Sequence, residues 1–506
     1  MASDATTVTA DAARRMILPL ALAQFIASYA ATNMNVAISS IATDIGTSVT
    51  GVQTAITLFT LTMAALMIPG SKLTDIRGRK VCFIAGLSVY GVGGLLASLA
   101  QGIGLLIFGY SILEGVGSAL LIPPIYILIT VATSDVRTRA KYFGIVSGAA
   151  GLGAATGPLI GGLITTTISW RASFIMQVLV VGWIILLARR IVDPPRTGKV
   201  PRFDLDGALL SGAGLFFVVI GILQSRTYGW GVSREDFTIG GTVIIPKGSI
   251  SPVWPIVAIG AVFLAWFYLH LRRAEKSDRP RLLSTSLFHN RTSNFGLITQ
   301  INQWLIMQGS FFVVSVFLQE VRHYSAIKTG LMLTPATVGT LIAAARAERM
   351  AKRFSQRWLI SAGFVATTIG LLLLLALGRA QSGVWTFIPG LFVMGLGIGV
   401  MLTASVNVVQ SSFGDKDQGD ISGVSRSVSN LGSSLGTALA GSILVSTRFP
   451  GNKHFAFALV TMVVVSLLGL LAALLIPRRP AGAAPPEPTP PGGQVAAERN
   501  AAPTRS

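Results

Sequence analysis

Runs of about twenty apolar residues recur from one end of the chain to the other, and no polar stretch between them is long enough to form a separate soluble domain. A helix crossing the hydrocarbon core of a bilayer needs about 20 mainly apolar residues, whereas a barrel strand alternates over about ten. The runs are continuous, so they predict helices. Fourteen candidate spans result: 16–40, 52–70, 81–100, 104–131, 141–167, 172–190, 206–225, 253–271, 294–318, 330–347, 359–378, 384–410, 421–446 and 455–476. The expected fold class is an all-α polytopic membrane protein with 14 transmembrane helices. The fourth, twelfth and thirteenth runs are long and rich in Gly, Pro or Ser, which blurs their signal. Arg14 and Arg15 before the first run resemble a signal peptide. No small-residue cleavage pattern ends that run, and it is expected to stay as a helix.

Charge supports the same class. Asp, Glu, Lys and Arg make up 12% of the 506 residues, about half the quarter usual in soluble chains. The 40 Lys and Arg against 20 Asp and Glu give a net charge of +20, a balance that in a soluble chain would point to nucleic acid. Placement argues otherwise. With the N-terminus in the cytoplasm and loops alternating, 31 of the 40 basic residues fall on the cytoplasmic side, 29 of them in 72–80, 137–141, 189–202, 272–291, 346–357 and the tails, the other two being Lys416 and Arg426. That is the bias that sets membrane topology, and it accounts for the charge without a nucleic-acid partner. Both termini are then expected in the cytoplasm. The tail 477–506, rich in Pro, Ala and Gly, is expected to be disordered.

Other chemistry is sparse. One cysteine, Cys82, excludes a disulfide framework, and four scattered histidines (His270, His289, His323, His454) make no metal site. There is no P-loop to bind ATP, and no HExxH, CxxC or GxSxG. An enzyme is not expected, nor a cofactor. The partners expected are the lipid bilayer and a small organic substrate, with the chain a monomer.

The chain also matches itself. Gly153, Gly157 and Gly162 in the segment 153–162 fall on Gly432, Gly436 and Gly441, an offset of 279. At nearly the same offset the segment from Leu73 to Lys80 faces Met350 to Arg357, which keeps the basic character and loses the acid and the glycine. Gly115 and Gly117 likewise face Gly395 and Gly397. The matches divide the chain into an N-terminal segment 1–15, a six-helix bundle 16–190, an inserted helix pair 191–271, a linker 272–293, a second bundle 294–476 and the tail. Paired helical repeats around a midplane site are a common plan of secondary transporters.

These residues resemble the major facilitator superfamily, and the span count resembles its fourteen-helix drug:proton antiporter branch. The loop Ser71 to Lys80 is similar to the family signature between helices two and three, with Ser71 where a glycine is usual. Gly153, Gly157, Pro158, Gly161 and Gly162 resemble the helix-five antiporter signature. Trp170-Arg171 followed by Phe174 resembles the start of helix six, and Thr32-Asn33-Met34-Asn35-Val36-Ala37-Ile38 the branch's helix-one pattern. The resemblance implies alternating access and efflux of organic compounds. Two departures bear on coupling: the helix-one acid is replaced by Ala30, and the helix-four arginine by Ser111.

Within the spans, Glu114 is the one acid near the middle, and an ionisable group there is costly, by about 2.5–3.5 kcal/mol. It is expected to share a face with Ser111 toward the central cavity, and to replace the missing acid as proton carrier. The alternative is a neutral Glu serving helix packing. Asp75, Gly78 and Arg79 are expected to form a cytoplasmic latch between the halves. Asn33, Asn35, Ser111, Gln303, Trp304, Gln308 and Asn407 are candidates for a cargo cavity, with Gln300, Asn302, Met307 and Gln410 nearby; inter-helix hydrogen bonding is the competing role of such amides. Ser425-Arg426, close to the start of the thirteenth run, reads as interfacial anchoring. The expected function is export of amphipathic organic compounds by a secondary transporter, with a proton as coupling ion. The rivals are a proton-independent facilitator or lipid exporter, and a non-transporting scaffold or sensor.

Overall fold

The structure is a computed structural model describing residues 10–132, 136–191, 202–239, 242–277, 279–378, 382–413, 418–444 and 453–477. Fourteen long helices follow one another among these residues: α1 (Ala10–Asp44), α2 (Val49–Arg77), α3 (Arg79–Ser98), α4, α5 (Val136–Thr167), α6 (Trp170–Ala188), α7 (Leu205–Tyr228), α8 (Val253–Lys276), α9 (Arg291–Val316), α10 (Ala326–Arg353), α11 (Gln356–Leu377), α12 (Phe387–Gln410), α13 (Gln418–Leu444) and α14 (Lys453–Leu474). Helix α4 begins as Ile103–Leu106, widens into a π-helical segment Ile107–Glu114 and continues as Gly115–Ala132. A small antiparallel hairpin, β1 (Phe237–Ile239) and β2 (Thr242–Ile245), lies between α7 and α8. Several helices run past the apolar windows in the sequence, because a helix does not stop where the hydrocarbon does.

Polar caps set many of the starts. Ser48, Ser169, Asp204, Asn290, Ser325 and Ser355 each accept a hydrogen bond from a backbone N–H in the first turn that follows, satisfying donors a helix start leaves open. Gly78 ends α2 and begins α3 at φ +109°, a conformation that side chains with a Cβ rarely adopt.

Thirteen of the fourteen helices are long and apolar enough to cross a membrane. The other is α13, whose serines and glycines lower its hydropathy. It faces protein instead of lipid, packed between α2 and α9. Its hydroxyls are satisfied by backbone carbonyls, Ser427 Oγ by Ala64 at 2.5 Å and Ser434 Oγ by Thr57 at 3.1 Å.

The two sets of six pack by one rule. In the first, α1 lies on α5, α2 and α3 on α4, and α3 on α6; in the second, α9 lies on α13, α10 and α11 on α12, and α11 on α14. The third and sixth helix of each set carry exposed apolar side chains such as Leu95, Leu179, Leu372 and Leu468, as lipid contact requires. Helices α7 and α8 pack on each other, and α7 against α2 and α13. Asp204 ties this pair to the chain beyond it, accepting from Leu282 N at 3.2 Å and meeting His270 Nε2 at 2.9 Å. Met1–Ile476 form one compact unit and Pro477–Ser506 another, of which only Pro477 is described; the expected disorder of the tail concerns residues outside the described ones.

Candidate functional site

The halves meet along two seams, α2 with α13 and α5 with α10, so that the second helix of each half packs on the fifth of the other. Glycines set the spacing. On α5, a Cβ at Gly153 would strike the Phe25 carbonyl of α1 and one at Gly157 the Thr32 hydroxyl, whereas Gly162 faces Ala326 O of α10 at 2.6 Å. The second copy repeats this. A Cβ at Gly432 would lie 2.5 Å from Ile301 O of α9, and one at Gly436 would strike the Leu305 carbonyl, while Gly441 faces Gln53 of α2. Each glycine segment thus presents one stripe to its own half and its last glycine to the other half. Pro158 belongs to the cross-half set, its carbonyl pressed on Gly330 of α10, and Gly161 to the inner set, against Asn33.

At the Ser48 end of the bundle the halves are joined by hydrogen bonds. Ser315 Oγ and Gln319 Nε2 of the α9 rod donate to Asn35 O at 2.5 and 3.0 Å, Ser39 Oγ donates to Glu320 Oε1 at 2.8 Å, and Ile327 N donates to Thr166 Oγ1 at 3.0 Å. Gln53 Nε2 reaches across α13 to Thr437 O, passing over Gly441. Within the first half, the Trp170-Arg171 motif grips Asp44: Trp170 Nε1 donates at 3.0 Å, Arg171 pairs with the same oxygen, and its Nη2 donates to Ala100 O at 2.7 Å.

The Gly78 end has different ties. Lys72 of α2 pairs with Asp420 of α13 at 3.5 Å, both side chains mostly shielded. Deeper, Arg426 of α13 donates to the Tyr126 hydroxyl of α4 and lies 4.8 Å from that ring's centre. Arg426, expected as an interfacial anchor, lies eight residues from the start of α13, roughly 12 Å at the helical rise of about 1.5 Å per residue, and its side chain spans the gap between the halves. Of the Asp75, Gly78 and Arg79 triad, the Gly78 turn is as tight as expected, and the Asp75 side chain lies outside the described residues.

The candidate cavity residues separate into groups. Gln308 Nε2 donates to Ala31 O across the halves at 3.2 Å, and Asn35 lies at the same junction. Asn33 Nδ2 donates to Ser173 Oγ of α6 at 2.9 Å, and Ser111 Oγ to Ala55 O of α2 at 2.7 Å, both inside the first half. Gln303 accepts from Ser405 of α12 at 2.7 Å, and Gln300 from Ser425 of α13 at 3.0 Å, inside the second. Trp304 is half-buried against the main core, and Asn407 is exposed near the end of α12.

Glu114 does not share a face with Ser111. A π-helix takes more residues per turn than an α-helix, so positions three apart diverge. Ser111 turns to α2, and the Glu114 carboxyl turns to α3 and α6, where a Cβ on Gly94 would lie 2.9 Å from Oε1. Glu114 is fully buried, and neither oxygen has a hydrogen-bond partner among the described residues. Ala30, at the position of the expected helix-one acid, is buried and accepts from Tyr110 at 3.3 Å.

Gln53, Gln319, Lys72, Asp420, Tyr126 and Arg426 were not singled out by the sequence as joining the halves. For Gln53 and Arg426 a signal exists: each is a polar residue within an apolar or small-residue run.

A family model described as Major Facilitator Superfamily matches residues 20–347 and again 297–505. The chain is similar to the puromycin resistance protein of Streptomyces alboniger, 28% identical over 83% of this chain and 80% of the relative. It is 26% identical to the cephamycin export protein of Amycolatopsis lactamdurans, over 96% of both chains. A multidrug efflux pump of Mycolicibacterium smegmatis is 27% identical over 87% of this chain and 82% of its own length.

Proposed function

Since the chain belongs to the major facilitator superfamily, we propose that it is a secondary transporter exporting amphipathic organic compounds by alternating access across the bacterial inner membrane, with both termini cytoplasmic. The observation that carries this reading is the repeated seam: α2 packs on α13 and α5 on α10, with Gly162 and Gly330 at backbone contacts on the second and Gly441 under the Gln53 side chain on the first. Such surfaces slide without unfolding either half. Ties at the Ser48 end would part to open the outer side, and Lys72–Asp420 and Arg426–Tyr126 would part to open the inner. The relatives' names speak of resistance, export and efflux, which supports an outward direction. The basic loops at the Gly78 end support its cytoplasmic placement.

Proton coupling rests on Glu114. Its carboxyl is sealed between α3, α4 and α6, so proton exchange there requires those helices to separate during the cycle. The same geometry favours a second reading, a proton-independent exporter: Glu114 faces away from the second half, and Ala30 and Ser111 bring no ionisable group to the junction.

Proteoliposomes loaded with ethidium, with and without an imposed pH gradient, test both. Gradient-driven flux that is abolished by Glu114→Gln supports coupling through this carboxyl. Flux independent of the gradient selects the second reading. No flux of ethidium, fluorescein or a neutral dye under either condition overturns the transporter reading.

A further inference from the structure

Arg426 sits where the two halves face each other, and among the described residues no acid partners it. The nearest acid along its helix, Asp420, is occupied by Lys72. Its partner is neutral, the Tyr126 hydroxyl, which in turn donates to Gln24 Oε1 of α1 at 3.4 Å. A guanidinium inside a membrane bundle is costly, and such groups normally pair or line a pathway. One turn further on the same face of α13, Asn430 Nδ2 is buried and has no acceptor among the described residues; neither has Gln300 Nε2, whose side chain is held by Ser425. The open hydrogen-bonding capacity around Arg426 is thus donor capacity. Among the described residues no acid balances it. Glu114 points out of this space toward α3 and α6, and position 30 is an alanine.

We propose that Arg426, with the Asn430 amide beside it, is the subsite for the anionic group of the cargo, so that the transported compounds are amphipathic organic anions bearing a carboxylate or phenolate. The inference rests on the transport reading and names the substrate class. An arriving carboxylate competes directly with Tyr126, because it brings a full negative charge and two acceptor oxygens to the guanidinium fork, where the hydroxyl brings one neutral acceptor. Binding therefore releases the Arg426–Tyr126 hydrogen bond, which joins α13 to α4 across the halves. Occupancy and loosening of the Gly78-end closure become one event.

The test uses the purified full chain in nanodiscs, with fluorescein as anionic probe and ethidium as cationic probe of similar ring size, read by fluorescence anisotropy. Wild type is expected to bind fluorescein more tightly than ethidium. Arg426→Gln weakens fluorescein roughly ten- to hundredfold, as loss of a charged hydrogen bond predicts, and does not weaken ethidium, whose own charge the guanidinium repels. Arg426→Lys retains most of the affinity, and Tyr126→Phe, which removes the competitor, does not weaken it. If Arg426→Gln fails to give a monodisperse protein, Asn430→Ala replaces it, with a smaller loss expected for fluorescein alone. Equal fluorescein affinity in wild type and Arg426→Gln, or a preference of wild type for ethidium, overturns the proposal. Ethidium flux without fluorescein binding sinks the anion assignment and leaves the transporter standing. Fluorescein bound through Arg426 without flux of either dye does the reverse.

Discussion

Replacing Gly162 by alanine separates a change in conformational balance from a loss of stability. The added Cβ would lie 2.6 Å from Ala326 O, 3.0 Å from its carbonyl carbon and 3.1 Å from Ile327 Cα. Comfortable contacts lie near 3.5–4.0 Å, so the backbone of α10 must retreat. Overpacking of this kind costs about 1–3 kcal/mol. The cost falls only on the state in which α5 and α10 touch, and at about 1.4 kcal/mol per factor of ten it raises the relative population of the parted state about 5- to 150-fold. Thr329 reports it well. It is fully buried on α10, its hydroxyl has no partner among the described residues, and it lies three residues from Ala326. In a Cys82→Ser background carrying Thr329→Cys, maleimide labelling of the purified protein is expected to accelerate within that range when Gly162→Ala is added, with melting temperature nearly unchanged. Gly153→Ala, whose Cβ meets Phe25 inside one half, is the control: it lowers the melting temperature and leaves labelling as it was. Equal labelling of wild type and Gly162→Ala refutes the reasoning, as does equal acceleration by both glycine variants.

Further expectations concern single contacts. Gly94→Ala crowds Glu114 Oε1 at 2.9 Å and Val178 at 3.2 Å, and is expected to cost about 1–3 kcal/mol of stability; pairing it with Glu114→Ala should recover most of that loss, which thermal melts of the double-mutant cycle will decide. Asp420→Lys opens the Lys72 tie, and because even exposed pairs are worth about 0.2–1 kcal/mol and this one is mostly shielded, its effect on cysteine labelling at the Gly78 end should be about fivefold or more, reversed by adding Lys72→Asp. Asp204→Ala removes the acceptor for Gly207 N, Leu282 N and His270, and a drop of roughly 2–4 kcal/mol is expected. An unchanged denaturation midpoint would show that the inserted pair does not depend on this carboxylate.

Helix number, the inserted pair and the duplication were legible because each is written in long-range pattern. Apolar runs must be about one bilayer long, and glycines at contact points must recur where a packed pair recurs, as Gly157 and Gly436 do. Side-chain direction was less legible. The face of Glu114 follows from the π-helical winding of Ile107–Glu114, and apolar sequence does not distinguish a π from an α turn. The tie of Arg426 to α4 was not legible because the residue lies close to the start of an apolar run, and nothing in that run marks the face that meets Tyr126. The hydroxyl and amide ties were invisible for another reason. Asn33, Ser111 and Gln303 look alike in sequence whether they face a junction or a neighbour in their own half.

The position of α7 makes the two seams unequal. Its Leu215, Val219 and Leu223 close over Leu61 of α2 and Ala438 of α13, and among the described residues no helix bridges α5 and α10 in the same way. One flank of the described bundle is buttressed by the inserted pair. Parting α2 from α13 must also loosen the contacts of α7, a cost that parting α5 from α10 does not carry in the same form.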